Sequence, residues 1–218
     1  MVSANMEDYL LAIYRLNRDG GPAKTTDIAD MLSVSPASVT EMVKRLSEEG
    51  LVDYERYRGS TLTPRGFRHA ERLHRKHKLV EKFMVNVLRS DPESAHDSAC
   101  RIEHSLSDDD ARSLCRIIGS PEECVCDQGN TGCRNIALVG IPLSEMKKGE
   151  KAVISFLKSD SPEKVRKLIS MGLVPGRTVK IESEMPMKGP ILISLDDSLL
   201  VLDREYTSLV MVEKEECA

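Results

Sequence analysis

The sequence predicts a mostly helical N-terminal half followed by a small all-β barrel. Three observations carry this expectation. Apolar residues recur at helical spacing up to about residue 118, and a stretch rich in Gly, Pro, Asn and Cys covers 119–135. Beyond it come short β-type runs separated by Gly and Pro turns.

Tyr9, Leu10, Ile13, Tyr14 and Leu16 form the apolar side of a first helix, which Asp19-Gly20-Gly21-Pro22 ends. Thr25-Thr26-Asp27 offers caps for a short second helix through Ile28, Ala29, Met31 and Leu32. Ser33-Val34-Ser35 reads as a tight turn, and Ser35 with Pro36 starts a third helix. That helix turns Val39, Met42, Val43 and Leu46 inward and stops at Gly50. Two extended runs follow, Leu51–Tyr57 and Ser60–Thr63, with a turn expected at Arg58-Gly59. This order is that of a winged helix-turn-helix.

From Pro64 to about Leu88 a long basic helix is expected, broken at Asp91-Pro92. Helices over about 93–105 and 108–118 complete the region. The β-type runs are Ala152–Leu157, Thr178–Glu182, Ile191–Leu195, Leu199–Leu202 and Leu209–Glu213, with one helix at Pro162–Met171. The expected division is therefore a winged helix-turn-helix over 1–63, a helical region over 64–118, a Cys-containing linker over 119–135 and a small all-β barrel over 136–218.

Composition narrows the function classes. The 218 residues are 40% hydrophobic and 30% charged, ordinary values for a folded chain, so wholesale disorder is not expected. No apolar run is long enough to span a membrane, and the N-terminus lacks a basic-then-apolar leader pattern. A cytoplasmic protein with reduced or metal-holding cysteines is the expectation. The net charge of −4 conceals an asymmetry: residues 36–90 carry 12 Lys/Arg against 7 Asp/Glu, residues 91–135 carry 4 against 10. One segment suits phosphate and the other cations.

A helix-turn-helix presents the start of its second helix to the DNA major groove. Here Ser35, Pro36, Ala37, Ser38 and Thr40 allow close approach, Lys44 and Arg45 follow, and Arg56 and Arg58 lie where a wing meets the flanking backbone. The rival is a plain three-helix packing module. A second constellation involves metal-ligand chemistry. His96, Cys100, Glu103 and His104 fall at i, i+4, i+7 and i+8, and His77 and Glu81 pair at i, i+4 on the preceding helix. Imidazole, thiolate and carboxylate together suit first-row divalent metals better than magnesium or calcium. For Cys124, Cys126 and Cys133, with Cys115 nearby, two readings stand: a bound zinc ion or iron–sulfur cluster, or plain reduced thiols.

The segments MEDYLLAIYRL, DIADMLSVSPASVTEMVKRLSEEGLV, YERYRGSTLTPRG, RKHKLVEKF and HDSACRIEHSLSDD resemble, in order, the diphtheria toxin repressor family of metal-dependent regulators, including its manganese-transport-regulator branch. RKLISMGLVPGRTVKIE resembles the small ferrous iron transport protein A domain. The resemblance implies a DNA-binding winged helix over 1–63, a helical metal-binding and dimerisation domain over 64–118 and an SH3-like barrel over 136–218, with a primary metal site of Asp8, Cys100, Glu103 and His104 and an ancillary site of His77, Glu81 and His96. It also implies a homodimer that binds palindromic double-stranded operator DNA when loaded with iron(II) or manganese(II), as a repressor. The chain departs from both branches: the iron-sensing branch has Met in place of Asp8, and the manganese branch has a carboxylate in place of Cys100 and Glu in place of Leu11. The thiolate favours iron(II) and the Asp8 carboxylate favours manganese(II), with iron(II) preferred. Two rivals from other classes are a metal-dependent hydrolase built on His77, His96 and His104 and a metal-buffering adaptor acting through the barrel.

Overall fold

The computed structural model describes residues 2–18, 20–118, 140–159 and 161–214. The linker cysteines Cys124, Cys126 and Cys133 lie outside the described residues. The chain divides into two compact units, Met1–His77 with Cys100–Ser105, and Lys78–Ala99 with Leu106–Ala218.

In the first unit, α1 (Ala4–Arg18), α2 (Thr25–Leu32) and α3 (Pro36–Glu48) precede the hairpin of β1 (Val52–Glu55) and β2 (Gly59–Leu62). Leu10, Ile13, Ile28, Val39, Val43, Leu46 and Leu51 close its core. The turn between α2 and α3 is tight because Ser33 adopts left-handed backbone (φ 54°), and Val34 N–H returns to Ala29 O. At the other end of α3, Gly50 (φ 68°) lets Leu51 N–H reach back to Leu46 O, so the chain leaves the helix directly into the wing.

Two local expectations shift. Thr25-Thr26-Asp27 are already inside α2; Lys24 is its N-cap and makes no side-chain cap bond. The chain's entry is held instead by Ala23, which exchanges both backbone hydrogen bonds with Ser60 at 2.8 Å. Asn17 adds to this tie, donating to the Gly21 and Ser60 carbonyls and accepting from Leu62 N–H. The wing turns at Arg56–Arg58 rather than at Arg58-Gly59. Glu55 pairs with Gly59, and Tyr57 takes the left-handed conformation (φ 70°) that a three-residue hairpin loop demands.

Helix α4 (Pro64–Asn86) starts on the Thr63 hydroxyl, which accepts from Gly66 N–H and donates to Gly50 O. It is followed by α5 (Pro92–Ile102) and α6 (Asp108–Ile118), and the division between the units falls within α4 and α5. Sequence periodicity extends α5 to Ser105, but the helix ends at Ile102 and closes on a tighter turn, Ser105 N–H to Ile102 O. Ser107 caps α6 through Asp110 N–H, and the Asp110 carboxylate takes the Ser107 hydroxyl in return.

In the second unit, Leu79, Ala111, Cys115 and Ile118 form a small core with Phe83, Val87, Leu106 and Leu114 packed on it. Its larger part is a six-stranded antiparallel sheet: β3 (Ile141–Pro142), β4 (Lys151–Leu157), β5 (Thr178–Glu184), β6 (Ile191–Leu195), β7 (Ser198–Leu202) and β8 (Val210–Lys214). The strands stand in the order β3-β8-β4-β5-β6-β7. Alternation decides the inner face: Ala152, Ile154, Val179, Ile181, Ile191, Ile193, Leu195, Val210 and Val212 are buried. Helix α7 (Pro162–Ser170) covers it with Val165 and Leu168, and a single-turn helix α8 (Arg204–Thr207) precedes β8. No helix among the described residues is long and apolar enough to cross a membrane.

Candidate metal centre and nucleic-acid interface

The candidate metal centre joins the start of the chain to the turn that leaves α5. In α1, Met6, Tyr9, Leu10 and Ile13 face the core, which leaves Glu7 and Asp8 together on an adjoining face. Across from them stand Glu103 and His104, just past the end of α5. His104 Nε2 lies 3.1 Å from Asp8 Oδ1 and 3.5 Å from Glu103 Oε1. Asp8, Glu103 and His104 each offer one ligand atom, all within 4.8 Å of one another. Deprotonated, these three atoms are lone-pair acceptors aimed at each other, an arrangement that a shared proton or a cation must hold together. The residues present therefore fit a divalent metal ion.

Glu103 is oriented from behind. Its Oε2 accepts from His77 Nδ1 at 2.8 Å, and the two side chains are only 2% and 1% exposed. Cys100 Sγ stands 3.9 Å from the same His77 nitrogen. Burial pushes the Asp8 carboxyl above its ordinary value, opposed by the attraction of His104. Of the expected ancillary set, His77 belongs to the first unit, whereas Glu81 and His96 belong to the second, where they approach to 3.5 Å. Leu11, the position at which the manganese branch places a Glu, is buried core.

Two residues at this centre escape sequence reasoning. Glu7 Oε2 accepts from His104 Nδ1 at 2.7 Å, and Glu7 Oε1 accepts from His69 Nε2 at 2.8 Å. The i, i+4 spacing searched for along single helices cannot reveal a link between residues separated by 97 positions. The MEDY segment held the one local signal, an acidic pair near the start of a helix, with Glu7 in its first turn.

On the DNA-binding head, Ser35, Pro36, Ala37, Ser38, Lys44 and Arg45 are exposed, and Thr40 is half-buried. Ser35 is also the N-cap of α3, accepting from Ser38 N–H at 3.1 Å. Thr40 donates its hydroxyl proton to Pro36 O, leaving its oxygen lone pairs outward. At the wing tip Arg58 pairs with Glu55 at 3.0 Å, and Arg56 lies over the Tyr57 ring. Tyr57 is 92% exposed, an aromatic that sequence reading assigned to a strand.

Comparison with known proteins matches each part in turn. The iron-dependent repressor N-terminal DNA-binding domain matches residues 1–60, the iron-dependent repressor metal-binding and dimerisation domain 63–131, and the FeoA domain 141–214. An uncharacterised HTH-type transcriptional regulator of Methanocaldococcus jannaschii is 41% identical over 109 residues, half of this chain and 87% of that protein. The HTH-type transcriptional regulator MntR of Lysinibacillus sphaericus is 43% identical over 107 residues, 49% of this chain and 76% of that one. Among solved structures, the manganese regulator SloR is 26% identical with a TM-score of 0.51, covering 96% of this chain and 98% of its own. ScaR with bound Cd2+ is 27% identical with a TM-score of 0.50, covering 97% and 100%. These relatives are regulators, not enzymes, and nothing among them favours a hydrolase or a metal-buffering adaptor. The chain belongs to the iron-dependent repressor family, the diphtheria toxin repressor type of metal-dependent transcriptional regulators, and carries a C-terminal FeoA domain.

Proposed function

We propose that this regulator is a homodimeric repressor that binds palindromic operator DNA when iron(II) or manganese(II) occupies the centre at Asp8, Glu103 and His104. One observation carries the reading: carboxylates and an imidazole from α1 and from the turn after α5 converge within ligand distance of each other. A bound divalent cation supplies the positive charge that lets two carboxylates and a ring nitrogen share one point. Asp8 belongs to the first helix of the DNA-binding head, so its engagement with Glu103 and His104 restrains that head. In a symmetric pair this sets the separation of two recognition helices to successive major grooves.

Cys100 completes the primary set in this reading, and His77, Glu81 and His96 form an ancillary one. Ser35, Pro36, Ala37, Ser38, Thr40, Lys44 and Arg45 face the groove, with Arg56 and Arg58 on the flanking phosphates. Iron(II) is the preferred activator because thiolate is the softer ligand, whereas the related SloR is a manganese regulator. The test is operator binding under anaerobic conditions, titrated with buffered iron(II) and manganese(II), on wild type and Asp8→Ala. Metal-dependent binding lost in Asp8→Ala is the expected result. Operator binding indifferent to both metals in the wild type would sink the reading.

A further inference from the structure

Glu7 belongs to no ligand set proposed above, yet it is bound on both sides. Its side chain is 15% exposed on α1, with one carboxylate oxygen on His104 Nδ1 and the other on His69 Nε2. A carboxylate can only accept, so the protons lie on the two ring nitrogens. For His104 that choice has a consequence. With its proton on Nδ1, the ring has Nε2 beside Asp8 Oδ1 and Glu103 Oε1, where a cation can take the place of the proton those carboxylates would otherwise accept. With the proton on Nε2, the lone pair would point away from both carboxylates.

We propose that Glu7 is a positioning residue of the metal centre, accepting from His104 Nδ1–H so that Nε2 is the ligand atom, with His69 on α4 holding the carboxylate in place. This rests on the reading of Asp8, Glu103 and His104 as the metal site. Glu103 has a comparable support in His77, so both residues of the turn after α5 are oriented by a hydrogen bond from outside the primary ligand set. The chain His69–Glu7–His104 also links three elements, α4, α1 and the turn after α5, through one carboxylate.

Two measurements on the full-length protein, without DNA, test this. The first is manganese(II) affinity for wild type, Glu7→Ala, Glu7→Gln, His69→Ala and Asp8→Ala. Glu7→Ala should weaken binding by roughly 10- to 100-fold, the range for losing the outer partner of a metal-bound histidine. Glu7→Gln should recover most of the loss, because its amide oxygen still accepts from Nδ1–H. His69→Ala should cost less than Glu7→Ala. The second is the nitrogen-15 NMR spectrum of His104 in the metal-free protein and in the zinc(II)-loaded protein. A slowly exchanging Nδ1 proton is expected in wild type and Glu7→Gln, and its loss in Glu7→Ala. Unchanged affinity in Glu7→Ala, where Asp8→Ala abolishes binding, would overturn the role of Glu7 while leaving the site intact. If Asp8→Ala binds manganese as wild type does, the site reading fails and the proposal fails with it.

Discussion

At the residue scale, Cys100 is the position that would tune the proposed metal centre. Its sulfur stands 3.9 Å from His77 Nδ1, beside the buried His77–Glu103 pair. Replacing the thiolate by a carboxylate makes the set harder. Cys100→Glu should raise responsiveness to manganese(II) relative to iron(II) in anaerobic operator binding. A ratio equal to that of wild type would remove Cys100 from the ligand set. A different residue governs the fit of the wing. Gly66 packs so closely on Leu51 that an added methyl would fall inside the contact radius of the Leu51 carbonyl oxygen. Because the obstacle is backbone, it cannot rotate away. Gly66→Ala should destabilise the DNA-binding head by about 3 kcal/mol, the upper end for overpacking. Chemical denaturation followed by circular dichroism checks this, and a midpoint unmoved from wild type would show that β1 and α4 can part without cost.

At the scale of elements, the proposed DNA interface is shared between α3 and the wing. Helix α3 presents short side chains from its N-terminal turn, where only small groups let the backbone come near base edges. The wing presents Arg56, Tyr57 and Arg58 on a loop that Ala23 and Ser60 pin to the start of α2. Gly59 is required there: its φ is 108°, and a Cβ would stand 2.7 Å from Ala23 O. Arg58→Ala should weaken binding to every sequence and reduce the salt slope by about one unit, because a phosphate contact releases counterions without reading bases. Its exposed partner Glu55 adds little to the fold, so stability should stay near wild type. An unaltered slope in binding titrations at several salt concentrations would take Arg58 off the phosphate list.

For the whole molecule, the mechanism depends on how many copies act together. Two half-sites one helical turn apart require a two-fold axis in the protein. The helical region from α4 to α6 leaves large apolar side chains at its surface, Phe67 and Leu88 among them. Sedimentation at micromolar concentration with metal should give a dimer, both free and on operator DNA. A monomer in both conditions would contradict the paired-half-site mechanism.

The succession of the main elements, the candidate donors and the family are all legible along the chain. Those depend on local rules: apolar spacing in α1 and α3, Ser35-Pro36 at a helix start, alternation in β5 and β6, and colinear motifs that name Asp8, Glu103 and His104. Which groups meet depends on how the elements pack. Glu7 and His104 are 97 positions apart, and His69 is 62 from Glu7, so no period along the chain relates them. The same holds where backbone meets backbone: the pinning of Ala23 by Ser60 moved the start of α2 ahead of its expected threonine caps, and the Gly66 contact with Leu51 joins α4 to the residue before β1. Local periodicity reports which face of an element is buried, whereas hydrogen-bond geometry across elements depends on how those faces are brought together, and that is written only in three dimensions.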